Sequence, residues 1–125
     1  LPILAYKEML DGGQVVGMMG DRPMSAKLAV VPFFGRLAVF DLTPFRLAAT
    51  IGTPIVYAFS FKTSYHGYSL LLEEAPSLAY APGADKDAVC EAALRHYTGA
   101  LERQVALHPH QWFNFYPFFS RPLGI

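Results

Sequence analysis

The stretch Asp85-Lys86-Asp87-Ala88-Val89-Cys90-Glu91-Ala92-Ala93-Leu94-Arg95-His96-Tyr97, running on to Leu107, is the longest patterned segment of the 125-residue chain. Asp85 offers a side-chain acceptor at its start and Pro109 stands just past its end, the two signals that open and close a helix. Within it Val89, Ala93, Tyr97, Leu101 and Val105 recur every four residues, with Ala92, Ala100 and Gln104 beside them. That spacing predicts an amphipathic helix over 86–107 whose apolar stripe packs on a sheet.

The rest of the chain supplies that sheet. Pro54–Lys62 and Tyr68–Glu73 are β-rich runs on either side of a turn at Thr63–Gly67, either a hairpin or two adjacent strands. Ser77–Ala84 reads as a loop. Thr43-Pro44 predicts a helix start, a hydroxyl cap followed by proline at the first helical position, with the helix Phe45–Ile51 stopping at Gly52. Leu28–Phe34 reads as a strand in which Pro32 demands an edge position or a bend. Val15–Met19 reads as a buried strand broken by Gly20-Asp21-Arg22-Pro23, and Ile3–Asp11 as a short helix stopped by Gly12-Gly13. The order helix, strand, strand, helix, strand, strand, helix predicts an α/β domain, a layered mixed sheet flanked by helices.

Composition narrows the function classes. The chain is 53% hydrophobic and 14% aromatic but only 16% charged, with ten basic and ten acidic residues. It is too apolar for disorder, and zero net charge gives no electrostatic footprint for nucleic acid. A single cysteine, Cys90, excludes an internal disulfide and a cysteine-based zinc site. Neither uncharged stretch, Leu47–Phe61 or Gln104–Ser120, offers the roughly 20 continuous apolar residues of a membrane span. The chain opens Leu1-Pro2 without an initiator Met, so it reads as part of something longer, and its apolar excess points the same way.

Few residues carry obvious chemistry. His66 sits in a turn, His96 mid-helix at the solvent side or rim, and His108 and His110 flank Pro109 with no third ligand at a metal spacing. Cys90 has Asp87 and Glu91 nearby, and acidic neighbours keep a thiol inert. Glu73 and Glu74 are adjacent on a strand and face opposite sides. No nucleophile elbow and no glycine-rich phosphate loop appears. Two constellations remain. Gly20-Asp21-Arg22-Pro23 places an ion pair at a strand's carboxyl end, where α/β sheets build their sites. His110–Phe119 has six aromatic residues in ten, packed on the domain by default and otherwise a pocket wall or contact surface.

Taken in order, several segments resemble the bacterial lipid A biosynthesis acyltransferases of the lysophospholipid acyltransferase superfamily. Gly13–Arg22 is similar to that family's strand ending in Ala-Asp followed by Gln, His or Arg. Val31-Pro32-Phe33-Phe34-Gly35-Arg36 resembles its Val-Pro-Phe-Phe-Gly signature, and Leu47–Val56 its Leu-Ala-x-x-Thr-Gly-Ala-Pro-Val-Val segment. His108-Pro109-His110-Gln111-Trp112 and Phe119-Ser120-Arg121-Pro122 resemble its closing elements.

The resemblance implies the C-terminal portion of one acyltransferase domain spanning 1–125. Its expected activity moves a fatty acyl group from acyl carrier protein or acyl-CoA to a hydroxyl of a lipid or glycolipid, without a cofactor or metal. The expected setting is the cytoplasmic face of the bacterial inner membrane, by peripheral contact of the full-length protein. The chain alone is expected to be soluble, with a homodimer as one possible state. In the family a histidine of a His-x4-Asp/Glu motif deprotonates the acceptor. No histidine here has an acidic residue five positions on, so no catalytic residue is expected in this chain, which alone would be inactive. The substrate-binding residues implied are Asp21, Arg22, Phe33, Phe34, Gly35 and Arg36, an arginine there suiting bidentate contact with donor phosphates. After Gln111-Trp112 the chain has Asn114-Phe115-Tyr116-Pro117 where the family carries basic residues, which implies a less anionic acceptor, such as another glycolipid or a polyene-type lipid. The competing reading is a non-catalytic lipid- or partner-binding α/β module. A nucleotide-binding domain is weaker, lacking the glycine-rich loop.

Overall fold

A computed structural model describes residues 2–21, 27–112 and 118–120. The elements are α1 (Ile3–Asp11), β1 (Leu28–Phe33), β2 (Arg36–Asp41), α2 (Thr43–Ile51), β3 (Val56–Lys62), β4 (Tyr68–Glu74) and α3 (Lys86–Leu107), with 3-10 turns at Pro109–Gln111 and Phe118–Ser120. The α/β composition is the expected one. Among the described residues the strands form two separate antiparallel pairs, β1–β2 and β3–β4, in place of a single mixed sheet.

The first pair corrects the sequence reading. Val15–Met19 is not a strand: it pairs with nothing in the sheets, and Val15 is 93% exposed. An apolar run becomes a strand only where a neighbour takes its backbone hydrogen bonds. The second strand is instead Arg36–Asp41, antiparallel to β1 from Leu28↔Asp41 to Phe33↔Arg36. Only Phe34 and Gly35 are left for the turn, with φ of 51° and 73°. Positive φ at both positions is the primed hairpin geometry, whose twist matches the strands it joins. Pro32 lies opposite Leu37, in the non-hydrogen-bonded pair next to the closing pair, so its missing N–H breaks no ladder bond.

This hairpin forms one wall of the core. Val31, Phe33, Ala38 and Phe40 are buried from it, Phe45 and Ala49 from α2, Cys90, Leu94 and Leu101 from α3. The α3 stripe is centred on Cys90 and Leu94, one residue on from the expected Val89 and Ala93. A strict four-residue step drifts by about 40° per turn around a helix of 3.6 residues per turn. The helix ends are as expected: the Asp85 carboxylate accepts from the N–H groups of Asp87 and Ala88 at 3.1 and 3.3 Å. At α2 the cap differs. The carboxylate of Asp41 accepts the Thr43 N–H at 2.9 Å, so the buried last residue of β2 takes the role the sequence assigned to the Thr43 hydroxyl.

β3 and β4 form a hairpin, one of the two arrangements open to these runs, from Val56↔Glu74 to Lys62↔Tyr68. One face lies on α3, where Tyr57 meets Tyr97 at 5.2 Å between ring centroids and Glu73 pairs with Arg103 at 3.2 Å. The other face, with Val56, Tyr68, Leu70 and Leu72, is exposed. α1 buries no side chain. No helix among the described residues is long and apolar enough to cross a membrane.

Candidate functional site

The site is built where three distant segments meet. The extended segment after α1 ends at Gly20 and Asp21, the β1–β2 hairpin presents its turn, and the chain after α3 brings Trp112. The Asp21 Oδ2 accepts a hydrogen bond from the Trp112 indole N–H at 3.0 Å, across 91 positions of sequence. An indole donor that is partly buried needs such a partner. Gly20 makes the approach possible, since a Cβ there would overlap the ring and hydroxyl of Tyr97. Burial first, then the Asp21 charge and neighbouring Tyr57, holds the Tyr97 phenol far above its usual range. Tyr97 is therefore a neutral wall beside the carboxylate.

Behind Asp21 lies a cluster of rings centred on Phe33, which is completely buried. Trp112 meets it edge-on at 5.6 Å, Phe40 at 5.5 Å and Phe34 at 4.8 Å, while Phe119 stacks on it at 6.0 Å. These are the edge and offset geometries that ring quadrupoles favour. The Arg36 guanidinium sits 4.7 Å from the centre of the Phe119 ring. A continuous path of contact thus runs from Asp21 through Trp112, Phe33 and Phe119 to Arg36.

Phe34 is the unusual residue of the set. It is 41% exposed and holds a left-handed backbone conformation that a bulky side chain adopts at a cost. Its N–H donates to the Glu102 Oε1 at 2.8 Å, so a carboxylate on α3 fixes the turn. Gly35 shares the turn and leaves open space around its α-carbon.

Of the six residues named from the sequence, Asp21, Phe33, Phe34, Gly35 and Arg36 lie along or beside this path, and Arg22 falls outside the described residues. Phe33 is buried in the packing, whereas Phe34 and Arg36 are exposed. Trp112, Phe118 and Phe119 pack on the domain, the default expected for the aromatic segment. Residues 113–117, which carry the departure from the family pattern, lie outside the described residues, as do Arg121 and Pro122. Tyr97, Glu102 and the Asp21–Trp112 tie were not foreseen. Only the need of an indole N–H for a partner hinted at them. The histidines stand apart from this path: His66 is exposed, His108 stacks on Phe61 at 3.8 Å, and His96 Nδ1 lies 2.9 Å from the Tyr57 hydroxyl. Among the described residues no group of three or more His, Cys, Asp or Glu is placed to hold a metal.

The family model described as bacterial lipid A biosynthesis acyltransferase matches residues 5–121. The chain belongs to this family. The match runs from within α1 to just past the second 3-10 turn, and takes in the whole path from Asp21 to Arg36. No curated protein and no solved structure matches this acyltransferase family member.

Proposed function

We propose that the chain forms the substrate-binding side of an O-acyltransferase that moves a fatty acyl group from acyl carrier protein or acyl-CoA to a hydroxyl of a lipid or glycolipid. The observation that carries this reading, beside the family membership, is the Asp21 carboxylate held by Trp112 at the edge of the Phe33 ring cluster. Asp21, with Arg22 beside it, contacts the acceptor. The Phe34-Gly35 turn lines the cleft, Phe33 supports it from behind, and Arg36 offers paired donors to a donor phosphate. The acceptor oxygen attacks the thioester carbonyl, the carbon–sulfur bond breaks, and the sulfur departs as a thiolate. The acceptor's proton passes to the histidine of a His-x4-Asp/Glu motif, which these 125 residues do not contain, and from it to the thiolate, which leaves as the thiol. The full-length protein works at the cytoplasmic face of the inner membrane.

Acyl transfer by the full-length protein tests this. Asp21→Ala is expected to lower transfer by about 10²-fold and, by stranding the Trp112 indole N–H, to cost about 1–3 kcal/mol of stability. Asp21→Asn keeps an acceptor there and is expected to lower transfer with the thermal midpoint nearly unchanged. Trp112→Phe keeps a ring in the cluster but removes the bond to the carboxylate, and is expected to cost about tenfold or more. Wild-type rates in Asp21→Ala would overturn the assignment. A lipid- or partner-binding module without catalysis draws support from the exposed face of Val56, Tyr68, Leu70 and Leu72. Vesicle co-sedimentation by a full-length protein that shows no transfer would select it.

A further inference from the structure

A cavity of about 400 Å³ lies between α2, the start of β3, the first half of α3 and the strand-free segment 75–79. That size falls among sites for small molecules. Its walls are almost wholly apolar: Phe45 from α2, Ile55 ahead of β3, Leu78 from the 75–79 segment, and Val89 and Ala93 from α3. Polar groups enter through Ser77, Tyr57 and His96.

The Tyr57–His96 pair sets the chemistry of that polar end. The Tyr57 side chain is buried, and burial foremost pushes its phenol up to about 12, so the hydroxyl keeps its proton. Across its 2.9 Å contact with His96 Nδ1 the neutral phenol can donate or accept; the tautomer in which it donates leaves the imidazole proton on Nε2. His96 is exposed, so a group bound there keeps part of its hydration. Tyr97 stands between this cavity and the Asp21 site. Its ring packs on Phe45 at 6.2 Å and Tyr57 at 5.2 Å, while its hydroxyl end meets Gly20.

We propose that this cavity is a separate binding site for a free fatty acid, with the alkyl chain along Ile55, Leu78, Val89 and Ala93 and the carboxylate at His96. The apolar walls match the chain. The Nε2–H of His96 in that tautomer and the Ser77 hydroxyl are donors that match an anionic head, and a hydrogen bond to a carboxylate is of the stronger kind. The site goes beyond the acyl-transfer reading, because its ligand is neither a thioester donor nor a hydroxyl acceptor.

Calorimetric titration of the full-length protein with dodecanoate, and with methyl dodecanoate as the uncharged control, tests it. Saturable binding of dodecanoate is expected, several-fold tighter than the ester. Ala92→Phe and Ser77→Phe fill the cavity from opposite walls at exposed positions, and each is expected to weaken dodecanoate binding by at least about tenfold. His96→Phe is expected to weaken the acid and leave the ester unchanged. Asp21→Ala is expected to leave dodecanoate binding intact, so this site can stand or fall independently of the transfer site. Failure to saturate, insensitivity to both filling variants, ester binding equal to that of the acid, or loss of binding in Asp21→Ala would each overturn the proposal.

Discussion

Tyr57 shows how a single buried hydroxyl reports on the packing of this chain. Burial, aided by the Glu73 charge and partly offset by Arg103, raises it from 10 to about 12. Between those values the folded chain keeps the phenol proton while the unfolded chain releases it. Stability tied to the neutral phenol is therefore complete below pH 10 and is lost as pH rises toward 12. Two units correspond to roughly 2–3 kcal/mol. Urea midpoints measured across that range are expected to fall steeply in the wild type and less steeply in Tyr57→Phe. Tyr97, raised from the same first cause, adds to the wild-type slope and keeps some of it in the variant. Neither effect was legible in the sequence, where both tyrosines were only apolar positions in a run. Asp21 was legible as a candidate from its place in a Gly-Asp-Arg-Pro break. Its partner was not, because no local pattern links residues 91 apart.

Among the elements, α3 was read most closely, since a capping aspartate and a following proline mark its ends by local chemistry alone. The β1–β2 hairpin was read least well. A two-residue turn of this class normally announces itself as Asn-Gly or Asp-Gly, and here the first position is Phe34. Gly35-Arg36 ends the apolar run but does not announce a hairpin, so the return strand Arg36–Asp41 is not legible there, and the apolar run Val15–Met19 reads as a strand in its place. The turn makes a prediction. Gly35→Ala, with open space around it, pays only for its positive φ and is expected to cost about 1–2 kcal/mol in chemical denaturation. Phe34→Asn relieves about 1 kcal/mol of backbone strain but gives up the edge contact with Phe33, worth about as much. Its net effect on stability is expected to be under about 1 kcal/mol, whereas acyl transfer falls if the ring lines the cleft.

Over the whole molecule, the surface is larger than mass alone predicts. The chain exposes 8244 Å² where roughly 6,600 Å² is expected for a compact monomer of 13.8 kDa. The uncovered helix α1, the segment through Val15 and the outer face of β3–β4 account for part of the difference, and they hold much of the apolar excess seen in the composition. The core depends on the end of the chain as well. A chain ending at Leu107 loses Trp112, Phe118 and Phe119 from around Phe33, and is expected to be less stable by roughly 3 kcal/mol or more. Amide hydrogen exchange at Gly20 and Asp21 is then expected to rise to the level of an untethered segment. The Asp21–Trp112 bond also sets an order of events during synthesis. Closing so long a loop is slow and gains nothing until its far end arrives. Gly20 and Asp21 leave the ribosome early and wait for Trp112. A copy made only as far as Leu107 therefore has no finished site, and acquires one only as Trp112 emerges.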